Sequence, residues 1–208
     1  MSLSMTIENL NPRHVAYRTF VGEKNKFIFT ELPKAACSTT KFFLYNIEGV
    51  EVQGKPSIHA RNLGIKSLCD FSPQEVTDML LSRTYFKFCI VRNPYSRLFS
   101  AFSDKIEKER PKYDAHRIAI REERQLSQDE LIDFNDFVYW MSNLGVSKQL
   151  RLLKRNAHWG SMSDHLFYET IPYDRCFKFE ELPQNLVDLE RALGFEIGVI
   201  QSFFDGTK

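Results

Sequence analysis

The sequence predicts an α/β fold, a three-layer α/β/α arrangement around a central parallel sheet. Three observations carry this. Apolar, aromatic-rich runs too short for helices occupy residues 26–32, 85–91 and 175–180, and segments with helical apolar spacing separate them. The first two runs each lead through a tight turn into a helix start. Between them, Ser72-Pro73-Gln74-Glu75 caps a further helix, as a crossover between parallel strands requires.

The elements follow in order. Residues 1–25 read as an N-terminal extension, whose opening Met1-Ser2-Leu3-Ser4-Met5 has the look of an expression remnant before a native start at Met5. Residues 26–208 read as one domain, a size that buries a full core. The first strand, 26–32, is stopped by Pro33. After a loop at 33–37, the hydroxyl residues Ser38, Thr39 and Thr40 open a helix. The capped crossover helix runs to about Arg83. The second strand, 85–91, is followed by Arg92-Asn93-Pro94, with Asn93 as cap and Pro94 at the first helical position. In the helix that follows, to about Lys108, Tyr95, Leu98, Phe99, Phe102 and Ile106 recur on one apolar face. Residues 107–130 carry both signs of charge and read as a solvated helical excursion. Residues 134–143 and 146–155 read as helices around Gly145, 175–180 as a strand, and 183–193 as a helix stopped by Gly194.

Composition narrows the function classes. Hydrophobic residues make up 43%, charged residues 26% and aromatics 13%, which excludes a disordered or fibrous chain. With 28 basic against 27 acidic residues the formal charge is +1, so no global field attracts nucleic acid or anionic lipid. Positive charge for an anionic ligand must therefore be placed locally. The longest unbroken apolar run, 137–141, is five residues, far short of the roughly twenty a membrane-spanning helix needs. Cys37, Cys69, Cys89 and Cys176 form neither a C-x-x-C pair nor a zinc spacing, and Cys89 reads as a small buried hydrophobe. A soluble chain in a reducing cytoplasm, without a metal, is expected.

Leu32-Pro33-Lys34-Ala35-Ala36-Cys37-Ser38-Thr39-Thr40-Lys41 stands between a strand and a helix, where unpaired N–H groups and the positive dipole end favour anionic oxygens. Ala35 and Ala36 let the backbone approach such a ligand, Lys34 adds charge, and Ser38, Thr39 and Thr40 add hydroxyl donors. The segment lacks the glycines of a Walker A loop, and its lysine precedes the turn. Cys37 reads as a small loop residue. Arg92 stands just past a strand's carboxyl end, the ligand edge of open parallel sheets. Its planar fork suits phosphate, and Ser100 lies two helical turns on. Lys34, Arg92 and Arg97 thus concentrate charge near two helix starts, for a ligand with two separated phosphate-like groups.

The second motif, Val91-Arg92-x-Pro94-Tyr95-x-Arg97-Leu98-x-Ser100-Ala101-Phe102-x-Asp104-Lys105, with Pro33-Lys34-x-Ala36-Cys37-Ser38 before it, resembles the two donor-binding motifs of sulfotransferases that use 3'-phosphoadenosine 5'-phosphosulfate (PAPS). The likeness is to the carbohydrate sulfotransferase group that modifies chondroitin and related glycans, and to its bacterial relatives. His158-Trp159, Tyr173-Asp174 and Phe177-Lys178-Phe179-Glu180-Glu181-Leu182 extend it over most of the chain. The resemblance implies a P-loop-like fold and sulfuryl transfer from PAPS to a hydroxyl of a carbohydrate or other small acceptor, with adenosine 3',5'-bisphosphate as product. It also implies roles: Lys34 as charge stabiliser, residues 34–40 around the 5' phosphosulfate, Arg92 and Ser100 at the 3'-phosphate, and His59 as general base. His158, His165 and Glu180 stand as alternative bases, and Trp159 reads as a packing residue. Two other readings remain open on the residues alone, a P-loop-type nucleotide or small-molecule kinase and a non-catalytic nucleotide-binding domain.

Overall fold

Phe27–Thr30, the apolar run ahead of Pro33, is buried along its whole length and lies at the centre of a five-stranded sheet. A computed structural model of the chain describes residues 16–52, 58, 63–143, 156–196 and 198. The strands are β1 (Thr19–Gly22), β2 (Phe27–Thr30), β3 (Lys66–Ser67), β4 (Phe86–Val91) and β5 (Arg175–Lys178), in spatial order β3-β1-β2-β4-β5. Strands β2, β4 and β5 run parallel, as expected, whereas β1 is antiparallel to both β2 and β3. The sheet is therefore mixed, not wholly parallel. The cause is local: only residues 23–26 join β1 to β2, and so short a connection can only return the chain antiparallel. Gly22 faces Phe27 across this hairpin, and a Cβ there would meet the Phe27 ring at 2.1 Å, so the close approach requires glycine. The amides of Lys24 and Asn25 donate to the Glu48 carboxylate at 3.1 and 3.0 Å, which ties the turn to the end of the next helix.

Helices cover both faces of this sheet. Helix α1 (Cys37–Ile47) packs Phe43, Leu44 and Ile47 against Phe27, Phe29, Phe88 and Phe177, and α2 (Pro73–Leu81) packs Val76, Met79 and Leu80 against Val21 and Ile28. Alternate residues of β2 thus feed two separate cores, which is why the run is apolar without a polar face. Phe88 sits in a ladder of rings, 5.0 Å from Phe29, 5.7 Å from Phe86 and 5.9 Å from Phe177 between centroids. Lys87 is buried between them in sequence, but its ammonium donates to the carbonyls of Ser82 and Tyr85 at 2.9 and 2.8 Å and lies 3.2 Å from Asp174.

The chain divides into two compact units, one built from residues up to Arg92 together with those from Met162 onward, the other from Asn93–Ser161. The second unit begins with α3 (Pro94–Phe102), capped by Asn93 and continued by a π-helical turn at Ser103–Glu107. Helices α4 (Asp114–Arg124) and α5 (Phe134–Ser142) follow, and Phe102, Ile106, Tyr113, Ile120, Phe137, Trp140 and Trp159 form their shared core. In the charged stretch 107–130, α4 keeps a buried face made of His116, Ala119 and Ile120. Trp159 packs in this core, as expected. The first unit resumes with α6 (Met162–Leu166) and ends its described part with α7 (Leu182–Ala192). The helix expected at 146–155 lies outside the described residues.

At the start of α2, Ser72 Oγ accepts from the Glu75 amide at 3.3 Å, and the Glu75 carboxylate accepts from the Ser72 amide at 2.8 Å. This reciprocal cap was legible in the sequence. Ser72→Ala is expected to lower stability by about 1 kcal/mol in urea denaturation, while Ser72→Gly costs only a few tenths. No loss on Ser72→Ala would show that the hydroxyl is not a stabilising group.

A candidate anion-binding site at the sheet edge

Strands β2 and β4 are parallel neighbours, so their carboxyl ends open on the same edge of the sheet. The chain leaves β2 through Glu31 and Leu32, turns at 33–36 and enters α1 at Cys37. Neither turn position with left-handed backbone is glycine: Lys34 has φ 69° and Ala36, the N-cap of α1, has φ 55°. Each such residue costs roughly 1–2 kcal/mol, so the surroundings must hold it. Alternation of left-handed and right-handed backbone, as at Lys34 and Ala36, is the kind of local geometry found in anion-binding turns. Ala36 makes no side-chain cap, and in the first turn the N–H groups of Cys37, Ser38 and Thr39 have no carbonyl ahead of them in the helix.

Several contacts hold the loop. Arg92, the residue after β4, donates from Nη1 to the Lys34 carbonyl at 3.0 Å, and its guanidinium lies 4.4 Å above the Phe179 ring. The Ala35 amide donates to the Leu32 carbonyl at 3.2 Å. Both the amide and the hydroxyl of Thr40 donate to the Ala36 carbonyl, at 2.9 and 3.0 Å. At the two ends of the loop, Lys41 of α1 is buried and its ammonium lies 2.7 Å from the Glu31 carboxylate, with Arg18 3.8 Å from the same group. The ammonium also sits 5.1 Å over the Phe20 ring. Sequence reasoning missed this clasp, and Lys41 looked like an ordinary helix residue because nothing in its spacing marks a partner ten positions back.

The structure thus brings together Lys34, Ala35, Ala36, Cys37, Ser38, Thr39 and Arg92 at one edge, but it revises what some of them offer. Thr40 is buried with its one hydroxyl proton directed to Ala36, so it stiffens the loop and has no proton left for a ligand. Burial pushes the Cys37 thiol up, with the Glu31 charge adding to it, and a thiol held protonated is a poor nucleophile. This agrees with its reading as a small loop residue. Arg97, expected among the anion-facing charges, is buried in the second unit and donates to the carbonyls of Gly160 and Ala157 at 2.9 and 2.7 Å. Its role is structural. Ser100 lies on α3, also in the second unit.

Of the base candidates, His59 lies outside the described residues. His158, in the second unit, has its Nδ1 2.7 Å from Asn156 Oδ1 and 3.2 Å from the Tyr113 hydroxyl. His165 lies on α6, and Glu180 is exposed next to Phe179, whose ring supports Arg92. Among the described residues no cluster of three or more His, Cys, Asp or Glu side chains is placed to hold a metal ion, and no helix is long and apolar enough to cross a membrane.

The model of the sulfotransferase family matches residues 17–204. Carbohydrate sulfotransferase 8 of Mus musculus is 30% identical over 186 residues, covering 83% of this chain and 42% of the relative. Carbohydrate sulfotransferase 10 of Homo sapiens is 34% identical over 144 residues, 63% of this chain and 39% of the relative. Carbohydrate sulfotransferase 14 of Danio rerio is 30% identical over 186 residues, 85% and 48%. The chain therefore spans less than half the length of these relatives. No solved structure gives a significant match.

Proposed function

The chain belongs to the sulfotransferase family, and from that premise we propose that it transfers a sulfuryl group from PAPS to a hydroxyl of a carbohydrate or other small acceptor by in-line displacement. One observation carries the reading at the level of residues. Lys34 and Arg92 come from the ends of adjacent parallel strands and are joined by a hydrogen bond of 3.0 Å, beside the amino end of α1. Two cationic residues, the first-turn amides of α1 and the small Ala36 stand at this edge, groups of the kind that suit a phosphosulfate and a phosphate. The fit supports PAPS as the group held, and PAPS would supply the sulfuryl group itself.

The roles proposed for the protein's own residues combine that placement with the family resemblance, on which the role of His59 rests alone. The amides of Cys37, Ser38 and Thr39 bind the 5' oxygens, helped by the Ser38 and Thr39 hydroxyls. The role proposed for Lys34 is to stabilise, with its positive charge, the negative charge that develops on the leaving oxygen. Arg92, just past the end of β4, is the residue proposed to bind the 3'-phosphate through its planar fork. His59 takes the proton from the acceptor hydroxyl. The catalytic gain is alignment and preorganised charge, as in phosphoryl transfer. Carbohydrate acceptors are supported by the names of the relatives. The strand-loop-helix order at 27–47 and the left-handed backbone of Lys34 and Ala36 support a P-loop-like reading of this segment.

The test is direct. Adenosine 3',5'-bisphosphate at a hundredfold excess over its Kd is expected to stabilise the protein by about 2.7 kcal/mol, roughly 5–10 °C in thermal midpoint, without magnesium. AMP should give a smaller shift. No shift with the bisphosphate, or a larger one with magnesium and ATP, would overturn the reading in favour of a kinase.

A further inference from the structure

Cys89 of β4 and Cys176 of β5 are register partners in parallel strands, and their sulfurs lie 3.3 Å apart. Adjacent parallel strands stand about 4.8 Å apart, within the roughly 4.4–6.8 Å between Cα atoms that a disulfide spans. Closing the sulfurs to a bond of about 2.05 Å requires a movement of just over 1 Å. The two thiols are not equivalent. Cys89 is fully buried, whereas Cys176 is partly exposed. Cys89 donates its proton toward Cys176, so one sulfur keeps its hydrogen and the other carries the negative charge more readily. The hydrogen bond from Cys89 lowers the Cys176 thiol below the ordinary range, and the Tyr168 hydroxyl adds to this, while the same contact and burial raise Cys89.

We propose that Cys89 and Cys176 form a reversible oxidation site for a hydroperoxide, with Cys176 as the attacking sulfur and Cys89 as the resolving one. The Cys176 thiolate attacks one peroxide oxygen, the O–O bond breaks, an S–O bond forms, and the other oxygen leaves as hydroxide and is protonated to water. Cys89 then attacks the sulfenic sulfur, the S–S bond forms, and the S–O bond breaks with loss of a second water that carries the Cys89 proton. The two sulfurs together lose two electrons, which reduce the peroxide. A dithiol reductant reverses the step by thiol–disulfide exchange and is itself oxidised. The site is independent of the donor reading. Its product would nonetheless lie close to that edge, since Arg92 and Phe179 each follow three residues after one of the cysteines.

Accessibility alone predicts a different order, because Cys69 is the exposed cysteine. The full chain is treated with equimolar hydrogen peroxide, then alkylated and mapped by mass spectrometry. The expected result is a mass lower by two hydrogens, loss of two of the four alkylatable thiols, a peptide linking Cys89 to Cys176, and full recovery with dithiothreitol. In Cys89→Ser, where no resolving thiol remains, Cys176 is expected to stop at the sulfenic acid and be trapped by dimedone. Oxidation first at Cys69 or Cys37, or a disulfide with either of them, overturns the proposal. So does an unmodified Cys89–Cys176 pair in the wild-type chain at this peroxide level.

Discussion

Lys34→Ala is expected to lower the turnover number by roughly 10²–10³, the effect of deleting one preorganised charge at a developing oxyanion. The loss should appear in single-turnover rates with donor saturating, and donor affinity should change far less, because the charge matters most when the leaving oxygen becomes negative. The fold is expected to tolerate the change. Lys34 has φ 69°, and alanine at that position carries the same steric penalty as lysine, so the backbone strain is not altered. The hydrogen bond from Arg92 goes to the Lys34 carbonyl, which alanine retains. A Lys34→Ala protein with the wild-type thermal midpoint and wild-type turnover would remove Lys34 from the mechanism. Lys34→Arg, which keeps a cation on a different stem, should recover part of the rate.

What the sequence made legible and what it hid have separate physical causes. Strands β2 and β4 could be read because central parallel strands are apolar on both faces, and the turns after them carry Pro33 and Asn93-Pro94. The hairpin partner β1 is four residues long, Thr19–Gly22, a run too brief to stand out. That omission led to the expectation of a purely parallel sheet. In α4 the charges masked a period that was present, since His116, Ala119 and Ile120 recur at helical spacing and are buried.

The candidate site shows the same division. Lys34, Ala36 and Arg92 could be placed because a strand end followed by a helix start is local information. The partners that fix them could not. Glu31 meets Lys41 across the loop, Phe179, just past the end of the next strand, supports Arg92, and Cys89 meets Cys176 at a separation of 87 residues. Each pairing depends on strand order, which is a property of the whole sheet. Arg97 illustrates the converse, a motif arginine that looked suited to an anion and instead satisfies two carbonyls in the second unit.

Arg92→Ala is expected to weaken binding of adenosine 3',5'-bisphosphate by roughly 10–100-fold, the range of a lost charge-assisted contact of about 1.5–3 kcal/mol. Unlike a residue that only binds donor, Arg92 also holds the Lys34 carbonyl at 3.0 Å and stacks 4.4 Å over Phe179, so turnover should fall as well. The two roles separate in a ligand cycle that pairs the variant with AMP, which lacks the 3'-phosphate. If Arg92 binds that phosphate, the wild-type preference for the bisphosphate over AMP collapses in the variant, and AMP affinity changes little. If Arg92 serves only to hold Lys34, both ligands weaken by the same factor and the preference survives. Arg92→Lys sharpens the distinction, since it keeps the charge but loses the planar fork and the stacking on Phe179. It should retain part of the preference for the bisphosphate while losing turnover, because a lysine ammonium at that distance has no second donor fixed toward the Lys34 carbonyl.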